Sequence, residues 1–234
     1  MEKPRDSLRF IPVGVQSLRW QLVDRPGSLG DKMRTKRRGW LSQQFPDLAE
    51  MSVIDLGGRA SSWVNAAVRP KHVHIVNLEG ETGLESGEVP SWAEVDFGDA
   101  CDLPAAIRNR RYDLVFSNSV IEHVGGHERR MKLAEAVHSL ADAHWVQTPY
   151  RYFPIEPHFV APGMQFLPNA AQAVMARKWP LVHTPPADKQ GAIDSVLWVE
   201  LLDRTQMRHY FPDSTLIAER FAGLTKSLIA IRKP

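Results

Sequence analysis

The chain has 234 residues, of which 43% are hydrophobic and 24% are charged, and its formal net charge is +2. This length and composition are typical of one folded domain and exclude a disordered or fibrous protein. The nearly balanced charge argues against a protein that holds nucleic acid or an anionic membrane through a strong overall field.

The single cysteine and the hydropathy pattern indicate the expected environment. Cys101 alone cannot form an intrachain disulfide or a cysteine-rich zinc site, which is typical of a reducing compartment. The first thirty residues lack the continuous apolar segment of a secretion signal, and no stretch of about 18 apolar residues follows. We therefore expect a cytoplasmic protein without a membrane partner, folded as one domain over residues 1–234.

In chain order, an N-terminal segment over residues 1–45 comes first. Prolines and glycines interrupt residues 1–30, which predicts an irregular arm, and a helix is expected from Asp31, its N-cap, to about Gln44. The basic run from Lys32 to Arg38 lies on this helix. It is interpreted as a solvated helix face, with a phosphate-binding patch as the alternative.

Residues 50–150 alternate between β-branched runs and helical patterns. Strands are predicted near 51–56, 72–78, 92–95, 112–117 and 143–148, with helices near 61–69, 104–109 and 127–142. This alternation predicts a parallel sheet with right-handed crossovers and helices on both faces, a doubly wound α/β fold.

The remaining sequence is predicted to cover and close this core. Residues 150–191 are rich in proline and aromatic residues and predict a structured lid, with a helix over 169–179 and a loop over 180–191. Residues 192–234 end in two β-like runs around Gly223, which predict an antiparallel hairpin at the sheet edge. The expected architecture is therefore a mainly parallel seven-stranded sheet with a C-terminal antiparallel hairpin.

Polar and small residues follow each of the first four predicted strands. Because the carboxyl ends of parallel strands meet at one edge of the sheet, these residues predict a shared nucleotide-binding site there. They are Asp55, Gly57 and Gly58 after the first strand, Asn77 and Glu79 after the second, Asp99 and Ala100 after the third, and Ser117, Asn118 and Glu122-His123 after the fourth.

In this order and spacing, the motifs resemble those of class I S-adenosylmethionine-dependent methyltransferases. The run from Asp113 to Val124 is especially similar to the branch that methylates small molecules, and the later segments 147–150, 153–159 and 223–228 are similar to uncharacterised bacterial members of that branch. The resemblance implies a Rossmann-like methyltransferase fold, S-adenosyl-L-methionine as the cofactor and a small-molecule acceptor methylated on oxygen or nitrogen.

The resemblance also implies a role for each motif residue. Asp55, Gly57 and Gly58 would shape the methionine end of the cofactor pocket, and Asn77 or Glu79 would hold the ribose. Asp99 would accept from the adenine amino group with Ala100 beneath the ring, and Ser117 and Asn118 would line the floor near the sulfonium.

The chain departs from the family pattern at three positions. Arg59 and Ser61 stand where glycine is usual, and Asn77 stands where the second strand usually ends in an acid. These departures motivate an alternative function, a catalytically degenerate methyltransferase fold that serves as a binding or assembly module. RNA methylation is a weaker alternative, because no recognisable RNA-binding pattern accompanies the basic run; we expect no nucleic-acid partner.

Two histidines are candidate catalytic residues. His123 follows the fourth strand and could take a proton from a hydroxyl, or it could simply be a backbone-bonded residue at a helix start. His158 lies in the lid beside Glu156 and could be an oriented base or a structural hydrogen-bonding group. Some relatives bind a divalent ion through Glu-x-x-Glu-His, but Ser119 replaces the first carboxylate, so no essential metal is predicted. The oligomeric state stays open.

Overall fold

A computed structural model describes residues 27–64, 66–79, 89–182 and 185–234, together with Arg19 and Arg25. The predicted N-terminal arm therefore lies largely outside the described residues. The helices are α1 (Leu29–Gln44), α2 (Ser61–Val64), α3 (Ala105–Arg108), α4 (His127–Leu140), α5 (Asn169–Lys178), α6 (Lys189–Leu197) and α7 (Arg204–Tyr210), with 3₁₀ turns at Leu48–Glu50 and Met164–Phe166. The strands are β1 (Ser52–Leu56), β2 (His72–Asn77), β3 (Ala93–Phe97), β4 (Leu114–Asn118), β5 (His144–Pro149), β6 (Ile155–Glu156), β7 (Ala161–Pro162), β8 (Thr215–Phe221) and β9 (Leu224–Arg232).

Seven strands form one sheet in the order β3-β2-β1-β4-β5-β9-β8. Strands β1 to β5 pair in parallel, whereas β9 pairs antiparallel with both β5 and β8. The predicted fold class is therefore confirmed. Strand order reverses between β1 and β4, and in open α/β sheets a ligand crevice forms outside the carboxyl ends of the strands at such a point.

Two apolar layers enclose the sheet because successive side chains of a strand point to opposite faces. On β1, Ile54 and Leu56 belong to one core cluster, and Val53 belongs to the other. The second cluster also contains Trp63 and Trp145, which are 3% and 1% exposed. A third cluster, around Met164 and Ala176, lies within the lid segment and α5 and α6.

Some predicted element boundaries were wrong. Ser28, not Asp31, is the N-cap of α1, and its hydroxyl accepts from the Asp31 amide at 3.2 Å. Helix α2 ends at Val64 rather than near residue 69, and β2 begins at His72.

Two helices lie in parts of the chain for which no helix was predicted. Helix α6 begins inside the predicted loop 180–191, where Asp188 caps it by accepting from the Gly191 amide at 2.7 Å. Helix α7 begins with a capping box formed by Asp203 and Gln206. Within the described ranges, no helix combines the length and apolar character needed to cross a membrane.

Candidate functional site

A cavity of about 750 Å³ opens at the carboxyl ends of the parallel strands. This volume lies in the range of small-molecule and cofactor sites. Six of the eleven residues singled out from the sequence line it: Gly57, Asn77, Glu79, Asp99, Ala100 and His123. These six residues, which lie at or after the ends of four different strands, therefore lie around one cavity.

A second cavity of about 230 Å³ lies beside the first, and Gly57 and Arg59 line both. Asp55, Gly58 and Asn118 also line this smaller cavity. Ser117 is placed differently: it is fully buried, and its hydroxyl donates to the carbonyl of Leu56 at 3.2 Å. The Ser117 side chain thus lines neither cavity.

The turn after β1 depends on two glycines. Gly57 adopts a φ of 76°, in the left-handed region, and a Cβ there would lie 2.4 Å from a methyl group of Val120. A Cβ on Gly58 would lie 1.8 Å from Oδ2 of Asp55. The absence of side chains at both positions lets the backbone turn directly over the Asp55 carboxyl group.

Asp55 itself is a buried acid with one unsatisfied oxygen. Its Oδ2 accepts from the indole nitrogen of Trp63 at 2.7 Å, and among the described residues Oδ1 has no hydrogen-bond partner. Burial raises the pKa of Asp55 to about 7, although the bond from Trp63 lowers it. An approaching cationic group would stabilise the ionised form of this carboxyl group.

The two candidate residues after β2 have different environments. The Asn77 amide donates to the carbonyl of Gly58 at 3.0 Å and accepts from the amide of Leu78 at 2.8 Å. Asn77 thereby ties the end of β2 to the glycine turn. Glu79 is exposed and lines the large cavity, so its carboxylate can reach a ligand there.

Asp99, after β3, is paired with an arginine that the sequence argument did not single out for this site. Nη2 of Arg129 lies 2.7 and 2.9 Å from the two Asp99 oxygens, and the amide of Cys101 donates to Oδ1 at 2.9 Å. Although burial raises the pKa of Asp99, these bonds outweigh it and hold the pKa below its usual value. Asp99 therefore presents an ionised acceptor to the cavity, shared with a guanidinium.

The basic run on α1 is only partly a solvated face. The Arg37 side chain is 11% exposed and donates to Asn118 at 2.6 Å, to Gln147 at 3.0 Å and to the buried Glu219 at 3.2 Å. Arg37 thus joins α1 to β4, β5 and β8. No local signal identifies it, because α1 and β8 are far apart in sequence.

Three more arginines, Arg34, Arg38 and Arg59, line the smaller cavity together with Arg37. Burial and the neighbouring Arg34 lower the pKa of Arg38. This cavity therefore concentrates positive charge beside the glycine turn, which favours an anionic ligand group.

The candidate catalytic histidines lie against each other. Their ring centroids are 4.8 Å apart with an edge-to-face arrangement, His123 lies at the cavity wall, and His158 does not line the cavity. Burial, followed by the nearby His158, lowers the pKa of His123 to about 4. Burial also disfavours charge on His158, but the hydrogen bond and charge of Glu156 raise its pKa.

Two carboxylates complete this cluster. Glu156 Oε1 lies 2.7 Å from Nδ1 of His158, while its Oε2 accepts from the Phe159 amide at 2.7 Å. The side chain of Glu122 is fully buried, its Oε2 accepts from Thr148 at 2.9 Å, and burial raises its pKa. The lid therefore places His158 beside Glu122-His123, a contact that the sequence spacing could not reveal.

The rim of the large cavity carries exposed apolar side chains from the end of α6. Leu197 is 61% exposed and Trp198 is 60% exposed, and both line the cavity. Because a loop was predicted over residues 180–191 and no helix after it, the sequence did not identify these two residues as part of the site. They provide an apolar surface next to His123.

Solved structures share this fold at low sequence identity, and two of the three described below contain bound SAH. The N-terminal domain of EvdMO1, solved with SAH bound, has a TM-score of 0.51 and 14% identity over 86% of this chain and 80% of its own. Magnesium protoporphyrin IX methyltransferase (ChlM) from Synechocystis PCC 6803, also with bound SAH, has a TM-score of 0.51 and 14% identity over 92% and 93%. The methyltransferase domain of bacterial CtHen1 has a TM-score of 0.53 and 10% identity over 86% and 100%.

No protein-family model matches the chain, and no curated protein matches it significantly. At identities this low, structural likeness establishes the fold, because one fold hosts many activities. The chain has the fold of class I methyltransferases.

Proposed function

We propose that the protein transfers the methyl group of S-adenosyl-L-methionine to an oxygen or nitrogen of a small-molecule acceptor. The observation that carries this proposal is the pair of adjoining cavities at the strand ends, which share Gly57 and Arg59. One cavity suits a nucleoside and an acceptor, and the other suits a charged amino-acid group. The bound SAH of EvdMO1 and ChlM supports the same cofactor.

The nucleoside would occupy the β2 and β3 side of the large cavity. Asp99 accepts from the adenine amino group, with Ala100 beneath the ring, and Glu79 accepts from the ribose hydroxyls. Asn77 holds the adjacent glycine turn through its bond to Gly58, so its contribution to the ribose is indirect.

The methionine end would extend past Gly57 into the smaller cavity. Its ammonium group pairs with Asp55, whose unsatisfied oxygen gains a partner, and Asn118 lies in the same cavity. Its carboxylate is held by the arginine cluster, in which Arg38 and Arg59 take part. This assignment uses both the buried acid and the positive charge of the cavity.

The acceptor would lie between the sulfonium and the apolar rim. Trp198 and Leu197 cover its apolar part, and His123 lies against its reacting atom, with His158 behind. The acceptor lone pair would form the new bond to the methyl carbon as the carbon–sulfur bond breaks, the bonding electrons would move to sulfur, and the proton of the acceptor O–H or N–H group would leave to water. Because this is an in-line displacement, holding the two reactants in line supplies much of the rate enhancement.

Calorimetric titration with S-adenosylhomocysteine tests the proposed cofactor site. We expect binding by the wild type, and weaker binding by Asp99→Asn and Glu79→Gln, because each loses a charged acceptor. Glu128→Gln is the matched control, since Glu128 is an exposed acid paired with Lys132 and does not line the large cavity. Folded wild-type protein that binds no S-adenosylhomocysteine would refute the proposal.

Labelled methyl transfer to hydroxylated sugars, phenols and polyketide-like compounds then tests the acceptor class. Trp198→Ala is expected to raise KM for the acceptor while S-adenosylhomocysteine affinity stays within about twofold of wild type, because Trp198 is expected to contact only the acceptor. Cofactor binding without transfer to any of these acceptors would instead favour the binding-module alternative.

A further inference from the structure

The cluster of Glu122, His123 and His158 brings three metal-binding groups together beside the large cavity. One candidate ligand atom from each residue lies within 4.8 Å of the others. Two of these residues are neighbours in sequence after β4, and the third comes from the lid between β6 and β7. We infer that these three residues form a binding site for one divalent transition-metal ion.

Unsatisfied buried atoms are the first observation that supports this site. Among the described residues, Glu122 Oε1 and His123 Nδ1 are buried without a hydrogen-bond partner. Leaving a buried polar atom unpaired costs about 1–3 kcal/mol, and more for a charged group. A metal ion would satisfy both atoms at once.

The second observation is that the remaining atoms of the cluster are already held. Thr148 donates to Glu122 Oε2 at 2.9 Å and leaves Oε1 as the available oxygen. Glu156 lies 2.7 Å from His158 Nδ1, which fixes the ring so that Nε2 is directed towards the cluster. A carboxylate bonded to the distal nitrogen of a histidine is the usual support of a metal-binding imidazole.

The spacing also suits an ion better than a direct ion pair. His158 Nε2 and Glu122 Oε1 are 4.0 Å apart, which is too long for a hydrogen bond. Two donors that each lie about 2.1 Å from one ion are separated by about 3 to 4 Å. The candidate ligand nitrogen of His123 lies within 4.8 Å of both atoms.

A second cluster of similar composition lacks these properties. His74, Glu94 and Asp96 also lie close together, but both His74 nitrogens are bonded, one to Tyr112 and one to Asp96. Both Glu94 oxygens accept from Arg110 at 2.8 Å. This cluster is satisfied without an ion and provides an internal control.

The ligand set indicates the kind of ion. Two imidazoles and one carboxylate suit Mn²⁺, Fe²⁺, Co²⁺ or Zn²⁺, whereas Mg²⁺ and Ca²⁺ prefer oxygen ligands. Three protein ligands leave coordination positions for an exogenous oxygen, and His123 directs the site towards the cavity. Ser119 cannot supply the carboxylate that some relatives have at its position, but the lid supplies a third ligand through His158.

The role of the ion rests on the proposed function, although its binding does not. An acceptor hydroxyl bound to the ion has a lower pKa and releases its proton to water. The resulting oxygen lone pair then forms the bond to the methyl carbon as the carbon–sulfur bond breaks. The site therefore specifies an acceptor that carries a hydroxyl group.

Co²⁺ titration of untagged, chelator-treated full-length protein tests the site without any methyl donor. We expect one Co²⁺ per chain and a visible absorption band from its nitrogen and oxygen ligands. Glu122→Gln and His158→Ala should abolish this band, and Glu156→Gln should weaken Co²⁺ affinity about 10- to 100-fold through loss of ring orientation. Glu94→Gln, in the control cluster, should bind as the wild type does.

Near-ultraviolet circular dichroism shows whether each variant is folded. Wild-type protein that binds no Co²⁺, or folded Glu122→Gln and His158→Ala variants that both bind it normally, would overturn the inference. A parallel titration with S-adenosylhomocysteine separates the two proposals. Co²⁺ binding without S-adenosylhomocysteine binding supports the metal site and removes the proposed function.

Discussion

Replacing Asp55 by asparagine is expected to stabilise the folded protein progressively as the pH rises. Asp55 is 1% exposed, and among the described residues its side chain accepts one hydrogen bond, from Trp63 at 2.7 Å. Asparagine keeps a carbonyl oxygen for that bond and removes the ionisable group. The substitution therefore tests whether burial of this acid disfavours its charge.

The magnitude follows from the shift in the Asp55 pKa. Burial raises it from 3.8 to about 7 in the folded chain. The native state thus keeps a proton that the unfolded chain releases above about pH 4, so the wild-type free energy of unfolding falls between about pH 4 and pH 7. A shift of about 3 units corresponds to at most about 4 kcal/mol, at 1.36 kcal/mol per unit.

Urea unfolding monitored by tryptophan fluorescence at a series of pH values measures this effect. The difference in free energy of unfolding between Asp55→Asn and wild type should increase with pH and level off above about pH 7. A constant offset is expected as well, because the new amide group has an unsatisfied donor. Asp142→Asn is the control, since Asp142 is 72% exposed. Parallel curves for wild type and Asp55→Asn would refute the reasoning.

Three further substitutions test the surroundings of the site. Gly58→Ala should lower the melting temperature and S-adenosylhomocysteine affinity, because its Cβ would meet the buried acid of β1 at 1.8 Å, whereas Gly39→Ala, at an exposed position of α1 with no atom within 4 Å of its Cβ, should lower neither. Arg37→Met should lower the free energy of unfolding by about 3–5 kcal/mol, because Glu219 loses its buried partner. Adding Glu219→Gln should restore part of the lost free energy of unfolding, because the unpaired buried charge is then removed. A double variant that is no more stable than Arg37→Met would contradict this explanation. Arg129→Ala should change the free energy of unfolding by less than about 1 kcal/mol, because the side chains of this ion pair are 45% and 35% exposed and solvent screens their attraction. Calorimetry should show tighter S-adenosylhomocysteine binding by Arg129→Ala, because the guanidinium no longer competes with the ligand for Asp99. Weaker binding would mean that Arg129 itself contacts the ligand.

The order of the core elements could be predicted because each rests on a local pattern. The β-branched run before Asp55 and the glycines that follow it specify a strand and a tight turn over a few residues. The same holds for the strands before Asn77 and Asp99. Their positions in a cavity then follow from parallel pairing, which brings carboxyl ends to one edge.

Helices α6 and α7 show where local patterns were insufficient. Each has fewer than ten residues and depends on a capping residue, Asp188 or Asp203, rather than on a long apolar repeat. Such short helices gain most of their stability from tertiary packing. The exposed Trp198 at the end of α6 could not be assigned to the cavity before α6 was placed.

The sequence by itself determined the doubly wound sheet and the set of polar residues at its carboxyl edge. Only the tertiary structure decided that Arg37 lies in a buried network, that Arg129 pairs with Asp99, and that His158 lies against Glu122-His123. Each of these contacts joins residues that are about 30 or more positions apart in sequence. Local periodicity carries no information about such pairs, because loop paths and packing fix them. The run Val53–Gly58, which forms most of β1 and the glycine turn, therefore indicated the edge of the sheet at which the large cavity opens, and the lid decided which side chains lie beside that cavity.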